Sequence, residues 1–217
     1  MERSVRAFVA AVPDRGPSIG VRGEMTADYL RGLGVRDVEV IGCPSMFMWR
    51  DRLGVEKRTP TLAPDGRISI TVSPYVRAMV PIVMRHVERY PNLTYVAQDL
   101  ETLDKLVRGE PPREAARQDP IPVHTSPPVF AQDQVRFYLD PWPWIEDLRA
   151  VDFSFGTRIH GSIAAILAGT PTVVLAHDSR TLELARYFGI PYRRITDADE
   201  KPGRRRAVRG GRLRVAQ

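Results

Sequence analysis

Strands and helices alternate along residues 66–196, and this alternation constrains the fold more than any other feature of the chain. Short β-branched and apolar runs predict strands, and apolar residues at three- and four-residue spacing predict helices between them. The predicted strands are residues 67–72, 93–97, 135–139, 151–155, 172–176 and 192–195, and the predicted helices are residues 75–90, 100–107, 141–149, 158–168 and 181–188. Such alternation builds a parallel sheet with helices on both faces. The sequence therefore predicts an α/β, Rossmann-like domain.

A shorter unit of the same kind precedes this domain. Residues 18–21 and 38–41 are predicted strands, and residues 26–33 are the helix between them. One βαβ unit is too small to bury both faces of its sheet. We therefore expect it to be an incomplete piece of another α/β domain, with apolar side chains left exposed.

Charge and cysteine content exclude several classes of protein. The tail 201–217 carries seven basic residues and no acid, which leaves −1 of the net charge of +6 for residues 1–200. A basic tail can bind phosphate backbones, but a solvated, disordered terminus is the expectation here, with no nucleic-acid partner. The single cysteine, Cys43, excludes a disulfide framework and a cysteine-based zinc site, and it is interpreted as structural because no histidine is near it in sequence.

Neither a signal peptide nor a transmembrane helix is predicted. The apolar stretch after the N-terminus, residues 7–12, is too short for a signal-peptide core, and no apolar run approaches the ~20 residues that span a bilayer. Six prolines between residues 109 and 128 predict a long loop. These features are typical of a cytoplasmic protein.

The segment 152–162 has the pattern of an anion-binding site. A buried strand ends at Gly156, Thr157 can cap the next helix, and Arg158 and His160 fall in its first turn. Free N–H groups and the positive end of the helix dipole meet there, at the edge where open parallel sheets bind ligands. Arg158 suits a carboxylate or phosphate, and His160 can transfer protons near neutral pH. Alternatively, Arg158 pairs with an acid such as Asp152, and His160 is only a cap.

The order of motifs around this segment resembles the polysaccharide pyruvyl transferase family. The matching stretches are Gly-Thr-Arg-Ile-His-Gly at 156–161, Ala-Ala at 164–165, Ala-Gly-Thr-Pro at 168–171, Leu-Ala-His-Asp-Ser-Arg at 175–180, and upstream the stretches 18–26 and 41–45. The resemblance covers roughly residues 18–196. The family's Gly-rich start is absent, and Arg180 stands where many members carry lysine.

The resemblance implies a GT-B-like enzyme whose active site lies in a cleft between two Rossmann-like halves. Such enzymes transfer a pyruvyl group from phosphoenolpyruvate to a sugar of a cell-surface glycan, giving a ketal, in exopolysaccharide biosynthesis. It implies that His160 is the general acid, Arg158 the donor clamp and Arg22 a second anion contact from the other half. The remaining substrate-binding residues are Thr157, Gly161, His177 and Arg180. His177 is at a strand end near the same edge, where it lines the cleft or is a plain loop residue.

The resemblance also divides the chain and defines its partners. Residues 1–55 are expected to be a remnant of the N-terminal domain, residues 56–199 the C-terminal domain and residues 200–217 a disordered tail, so that the enzyme is truncated. The expected partners are phosphoenolpyruvate and a glycan or lipid-linked sugar. Peripheral association with a membrane is compatible with this function, and no metal or other cofactor is expected. Two alternatives remain: a sugar-nucleotide-dependent glycosyltransferase of the same fold, and a non-catalytic fragment.

Overall fold

The computed structural model describes residues 2–12, 16–109 and 133–195. Most of the predicted proline-rich loop and the whole basic tail lie outside these residues. The first described element is a helix that the sequence patterns did not predict, α1 (Glu2–Ala10). Its Val9 joins the small core formed by the following elements.

The predicted βαβ unit forms a sheet of its own. Strands β1 (Ile19–Val21) and β2 (Val38–Val40) pair in parallel and are joined by helix α2 (Glu24–Gly32). Its core contains few buried side chains: Val9, Val21, Ala27, Leu30 and Val38. Large apolar side chains around it stay exposed, namely Phe8, Met25 and Tyr29. The unit is thus a separate two-stranded sheet with exposed apolar surface, as expected.

The remaining strands form one parallel six-stranded sheet. Its strands are β3 (Ile68–Thr71), β4 (Leu93–Ala97), β5 (Val135–Phe137), β6 (Phe153–Gly156), β7 (Thr172–Ala176) and β8 (Tyr192–Arg194). Their order across the sheet is β5-β4-β3-β6-β7-β8, and every pair is parallel. The chain winds outwards from β3 in one direction and from β6 in the other. This is the doubly wound Rossmann order, so the predicted fold class is confirmed.

Helices cover both faces of this sheet. They are α3 (Val80–Arg89), α4 (Leu100–Arg108), α5 (Pro141–Leu148), α6 (Ile159–Leu167) and α7 (Ser179–Tyr187). One core cluster joins α5, α6 and α7 to one face, and a second joins α3 to the other. The segment from Cys43 to Val55 packs into the first cluster, so this stretch accompanies the larger sheet. The predicted domain limits remain predictions.

The helix predicted at residues 75–90 starts later than expected. A short 3₁₀ helix, Arg77–Met79, comes first, and α3 begins only at Val80. Pro81 explains the difference, because proline lacks an N–H and fits only the first turn of a helix. The residues before it, including Tyr75, therefore form a loop at the end of β3.

Candidate active site

The candidate site lies where β3 and β6 are neighbours at the centre of the larger sheet. The connections leave these two strands in opposite directions, which opens a crevice beyond their carboxyl ends. Thr157 lies at the base of this crevice. Its N–H donates to Thr71 O at 2.8 Å, and its Oγ1 accepts from the Ser73 N–H at 2.7 Å. The predicted cap by Thr157 is therefore wrong. Its side chain is fully buried and ties the two strand ends together.

Arg158, and not Thr157, is the N-cap residue of α6, and no side chain caps this helix. Four other helices that start at the carboxyl edges of the two sheets receive a carboxylate. Asp99, Asp140 and Asp178 cap α4, α5 and α7, and Glu183 accepts from the Met25 N–H at the start of α2. Helix α3 also lacks a side-chain cap, but the Val80 N–H at its start donates to Arg77 O of the preceding 3₁₀ helix. The start of α6 receives no carboxylate. An anion can bind there.

The Arg158 side chain lies over the crevice and is half-buried. Its Nε donates a long hydrogen bond of 3.4 Å to Val72 O at the end of β3. The alternative partner, Asp152, is at the opposite edge of the sheet, where it accepts from the Arg67 N–H at 2.9 Å. The alternative reading of Arg158 is thus wrong, and its guanidinium is available to a bound anion.

His160 is the one residue of α6 that is not buried, while its neighbours in the helix pack into the core. Its side chain lies beside the thiol of Cys43, which is 1% exposed. A hydrogen bond from His160 is the largest of the effects that lower the pKa of Cys43 to about 7, against the effect of burial. The sequence analysis missed the contact between Cys43 and His160 because the two residues are far apart in sequence. Cys43 follows β2, so the carboxyl edge of the smaller sheet meets α6 at His160.

A second histidine, His177, lies one strand further along the same edge, directly after β7. Its Nε2 is 3.2 Å from Tyr75 Oη and 3.5 Å from Asp178 Oδ2. Burial is the main cause that lowers the pKa of His177; Asp178 opposes this, and the charges of Arg180 and Arg158 add to it. The fold therefore brings Arg158 and His177 into one electrostatic environment. Tyr75, which the sequence analysis did not single out, completes the group.

The other predicted residues are spread around this edge. Gly161 lies under the site, where a side chain would overlap the Thr71 side chain. Arg180 is exposed in the first turn of α7. Arg22 is exposed directly after β1, at the same edge of the smaller sheet as Cys43. The proximity of Arg22 to Arg158 stays a prediction.

One cavity of about 390 Å³ lies away from this chemistry. It is lined by α1 and by the segments that precede β1 and β2, so it is at the amino edge of the smaller sheet. Within residues 2–12, 16–109 and 133–195, no cluster of side chains could hold a metal ion. In the same part of the chain, no helix is long and apolar enough to cross a membrane.

A doubly wound sheet with an arginine, a histidine and an uncapped helix start at its switch point has the architecture of α/β proteins that bind ligands at this edge. The chain belongs to the polysaccharide pyruvyl transferase family, whose family model matches residues 2–179. This family is the one that the motif order indicated. No curated protein matches the sequence.

Two solved structures show distant similarity to the fold. The glycotransferase of kitacinnamycin is 20% identical, with a TM-score of 0.32, over 75% of this chain and 37% of that one. The glycosyltransferase SnogD from Streptomyces nogalater is 16% identical, with a TM-score of 0.26, over 76% of this chain and 47% of that one. This chain thus spans less than half of either protein.

Proposed function

We propose that this protein transfers a pyruvyl group from phosphoenolpyruvate to a sugar of a polysaccharide, forming a ketal. The observation that carries the proposal is the start of α6, where free N–H groups, the Arg158 guanidinium and the exposed His160 lie together at the switch point. Phosphoenolpyruvate carries a phosphate and a carboxylate, both attached to C2. Helix N–H groups and a planar guanidinium are the two donor types that recognise such anions.

The reaction assigns a separate task to each residue. His160 gives a proton to C3 of the enol, which makes C2 electrophilic, and a sugar hydroxyl oxygen then bonds to C2. A second hydroxyl of the same sugar displaces the phosphate, whose departing oxygen takes the C2–O electron pair and a proton. Two hydroxyl protons are thus exchanged for one on C3 and one on phosphate. The sum balances without a metal ion or a redox cofactor.

Arg158 holds the donor during both steps. Its hydrogen bond to Val72 O is long, so a bound carboxylate can replace it at little cost. Arg22 supplies a second positive charge from the smaller sheet, whose edge meets α6 through Cys43 and His160. The acceptor is a glycan or a lipid-linked sugar, and the reaction takes place in the cytoplasm, where phosphoenolpyruvate is made.

Calorimetric titration of the full chain with phosphoenolpyruvate tests donor binding. We expect Arg158→Ala to weaken binding by about 1.5–3 kcal/mol, the scale of a lost hydrogen bond to a charged group. Arg158→Lys should recover part of this loss, because lysine keeps the charge and not the fork. Arg149→Ala is the matched control, since Arg149 follows α5 at the opposite edge of the sheet. Equal binding by Arg158→Ala and wild type would refute the donor site.

His160→Ala separates catalysis from binding. Phosphoenolpyruvate affinity should remain close to that of wild type, while phosphate release with a sugar acceptor should fall about 10²–10⁴-fold, the scale of a lost general acid. Full activity of His160→Ala would place the acid elsewhere. A nucleotide sugar that binds more tightly than phosphoenolpyruvate would favour glycosyl transfer instead.

A further inference from the structure

The transfer reaction above leaves the Tyr75 hydroxyl and its partner His177 without a task. Tyr75 is on the loop between β3 and α3, and its side chain is 67% exposed. Its Oη nevertheless makes a hydrogen bond of 3.2 Å with His177 Nε2, and the two rings lie 5.6 Å apart at 59°. An exposed phenol with a fixed partner presents a polar tip and an apolar ring face to solvent.

The His177 ring is held in one orientation by its surroundings. Only 11% of its side chain is exposed, and Asp178 Oδ2 lies 3.5 Å from the same Nε2 that faces Tyr75. Nδ1 is buried and has no hydrogen-bond partner among the described residues, and the Leu175 backbone raises the pKa of the ring. The state of the ring that can accept a proton at Nε2 is the tautomer with the proton on Nδ1. Nε2 then accepts the hydrogen bond that Tyr75 donates.

We propose that Tyr75 and His177 form the acceptor subsite of this enzyme, where a sugar hydroxyl loses its proton to Tyr75 Oη while Tyr75 passes its own proton to His177 Nε2. The inference rests on the proposed pyruvyl transfer and names the group that activates the acceptor. The ring face of Tyr75 packs against the sugar, as aromatic side chains do against apolar faces in binding sites.

The proton transfers of this step balance. The sugar O–H bond breaks as the oxygen bonds to C2 of the donor, and the proton goes to Tyr75 Oη. The Tyr75 O–H bond breaks as His177 Nε2 gains a proton, and the Asp178 carboxylate stabilises the imidazolium that forms. His177 gains one proton and His160 loses one to C3, so solvent exchange restores both.

Charge distribution explains why the pair serves the acceptor and not the donor. The groups that face His177 are Tyr75, Asp178, Arg158 and Arg180, and burial outweighs the Asp178 charge and lowers the pKa of His177. The ring is therefore neutral at pH 7 and can accept a proton. A neutral phenol and a neutral imidazole suit an uncharged hydroxyl, whereas the donor's charges match Arg158 and the start of α6.

Histidine NMR of the full chain can follow donor and acceptor separately, since the sequence contains only four histidines. The probes are phosphoenolpyruvate and a panel of methyl hexopyranosides. Phosphoenolpyruvate should shift the His160 signals, and at least one pyranoside should shift those of His177. Tyr75→Ala should weaken pyranoside binding at least about tenfold and leave phosphoenolpyruvate affinity unchanged. The matched control, Tyr29→Ala, removes an exposed tyrosine from α2 and should change neither.

Measurements of turnover distinguish a catalytic role of Tyr75 and His177 from a purely structural one. Tyr75→Phe keeps the ring and removes the hydroxyl, so it should lower kcat for phosphate release about 10²-fold with little change in KM for phosphoenolpyruvate. His177→Gln should have a similar effect, and the double variant should lose no more than either alone, because the two groups act as a unit. In wild type, kcat should fall as the pH drops through the lowered pKa of His177.

The results separate this inference from the function on which it rests. If no pyranoside shifts the His177 signals, or Tyr75→Ala binds pyranosides as wild type does, the acceptor subsite is refuted although the donor site stands. If phosphoenolpyruvate shifts no signal of His160 and does not bind, the proposed function fails and this inference fails with it.

Discussion

Replacing His160 by alanine should raise the pKa of the Cys43 thiol. In wild type the pKa of this group is lowered from an ordinary 9.0 to about 7, and the His160 hydrogen bond is the largest cause, against the burial of the thiol. Hydrogen bonds with Ser45 contribute to the lowered pKa and remain in the variant. Without the imidazole, burial is opposed only by Ser45. We therefore expect the pKa of Cys43 in His160→Ala to return close to its ordinary value.

The size of the effect follows from the two pKa values. A pKa that falls from 9.0 to about 7 on folding contributes roughly 2–3 kcal/mol to the free energy of unfolding at high pH. Because His160 is exposed, solvent screens its interaction with the thiol, and we expect a contribution of about 2 kcal/mol. The folded pKa lies below the unfolded one, so between pH 7 and 9 the unfolded chain binds more protons. The stabilisation is complete above pH 9 and is lost as the pH falls through about 7.

The ultraviolet absorbance of the thiolate measures this titration directly, because Cys43 is the only cysteine of the chain. Cys43→Ser provides the baseline for the tyrosines. Wild type should titrate at about 7, and His160→Ala at a clearly higher pH. In urea, the free energy of unfolding of wild type should rise by about 2 kcal/mol from pH 7 to 9, and that of Cys43→Ser should not. A wild-type midpoint near 9, or equal midpoints in both proteins, would refute the pairing.

Two further predictions concern the support of the site. Gly161→Ala places a methyl group against the Thr71 side chain and should lower the free energy of unfolding by about 1–3 kcal/mol. Gly32→Ala, which has open space around it, should not. Equal stability of the two variants would contradict the packing of Gly161 on Thr71. Asp178→Ala removes the N-cap of α7 at Thr181 and should cost about 0.5–2 kcal/mol in urea unfolding at pH 7, a loss that should vanish at a pH where Asp178 is protonated.

Local sequence patterns predicted the larger sheet because its central strands are buried and most of its helices have one apolar face. Residues 93–97 and 172–176 were predicted with the limits that the structure has. The start of α3 was misplaced because apolar spacing runs through residues 75–80 while Pro81 allows the helix to begin only at Val80. Helix α1 was missed because no predicted strand precedes it, so it is not part of the alternating pattern. Its Val9 is buried only because it packs with residues of β1 and β2.

The site was predicted where it depends on local geometry and missed where it depends on long-range contacts. Arg158 and His160 follow a strand that ends in glycine, a signal contained in a few consecutive residues. The Tyr75 contact with His177 joins residues 102 positions apart, and no sequence pattern records it. The same holds for Cys43 and His160. Thr157 does not cap α6 because its hydroxyl oxygen accepts a hydrogen bond from the Ser73 N–H, just beyond the end of β3.

The junction between the two sheets fixes the segment that brings Cys43 to His160. Gly42 has a φ of 68°, which favours glycine, and the rings of Tyr187 and Phe188 fill the space that its side chain would need. The Tyr187 hydroxyl also donates to Val40 O at 2.7 Å, so α7 holds the end of β2 from both sides. The turn after β2 is therefore packed against the end of α7. The thiol reaches His160 from this turn, and the imidazole extends from an otherwise buried helix, so packing positions the His160 side chain. Such preorganisation is what the general-acid role proposed for His160 needs.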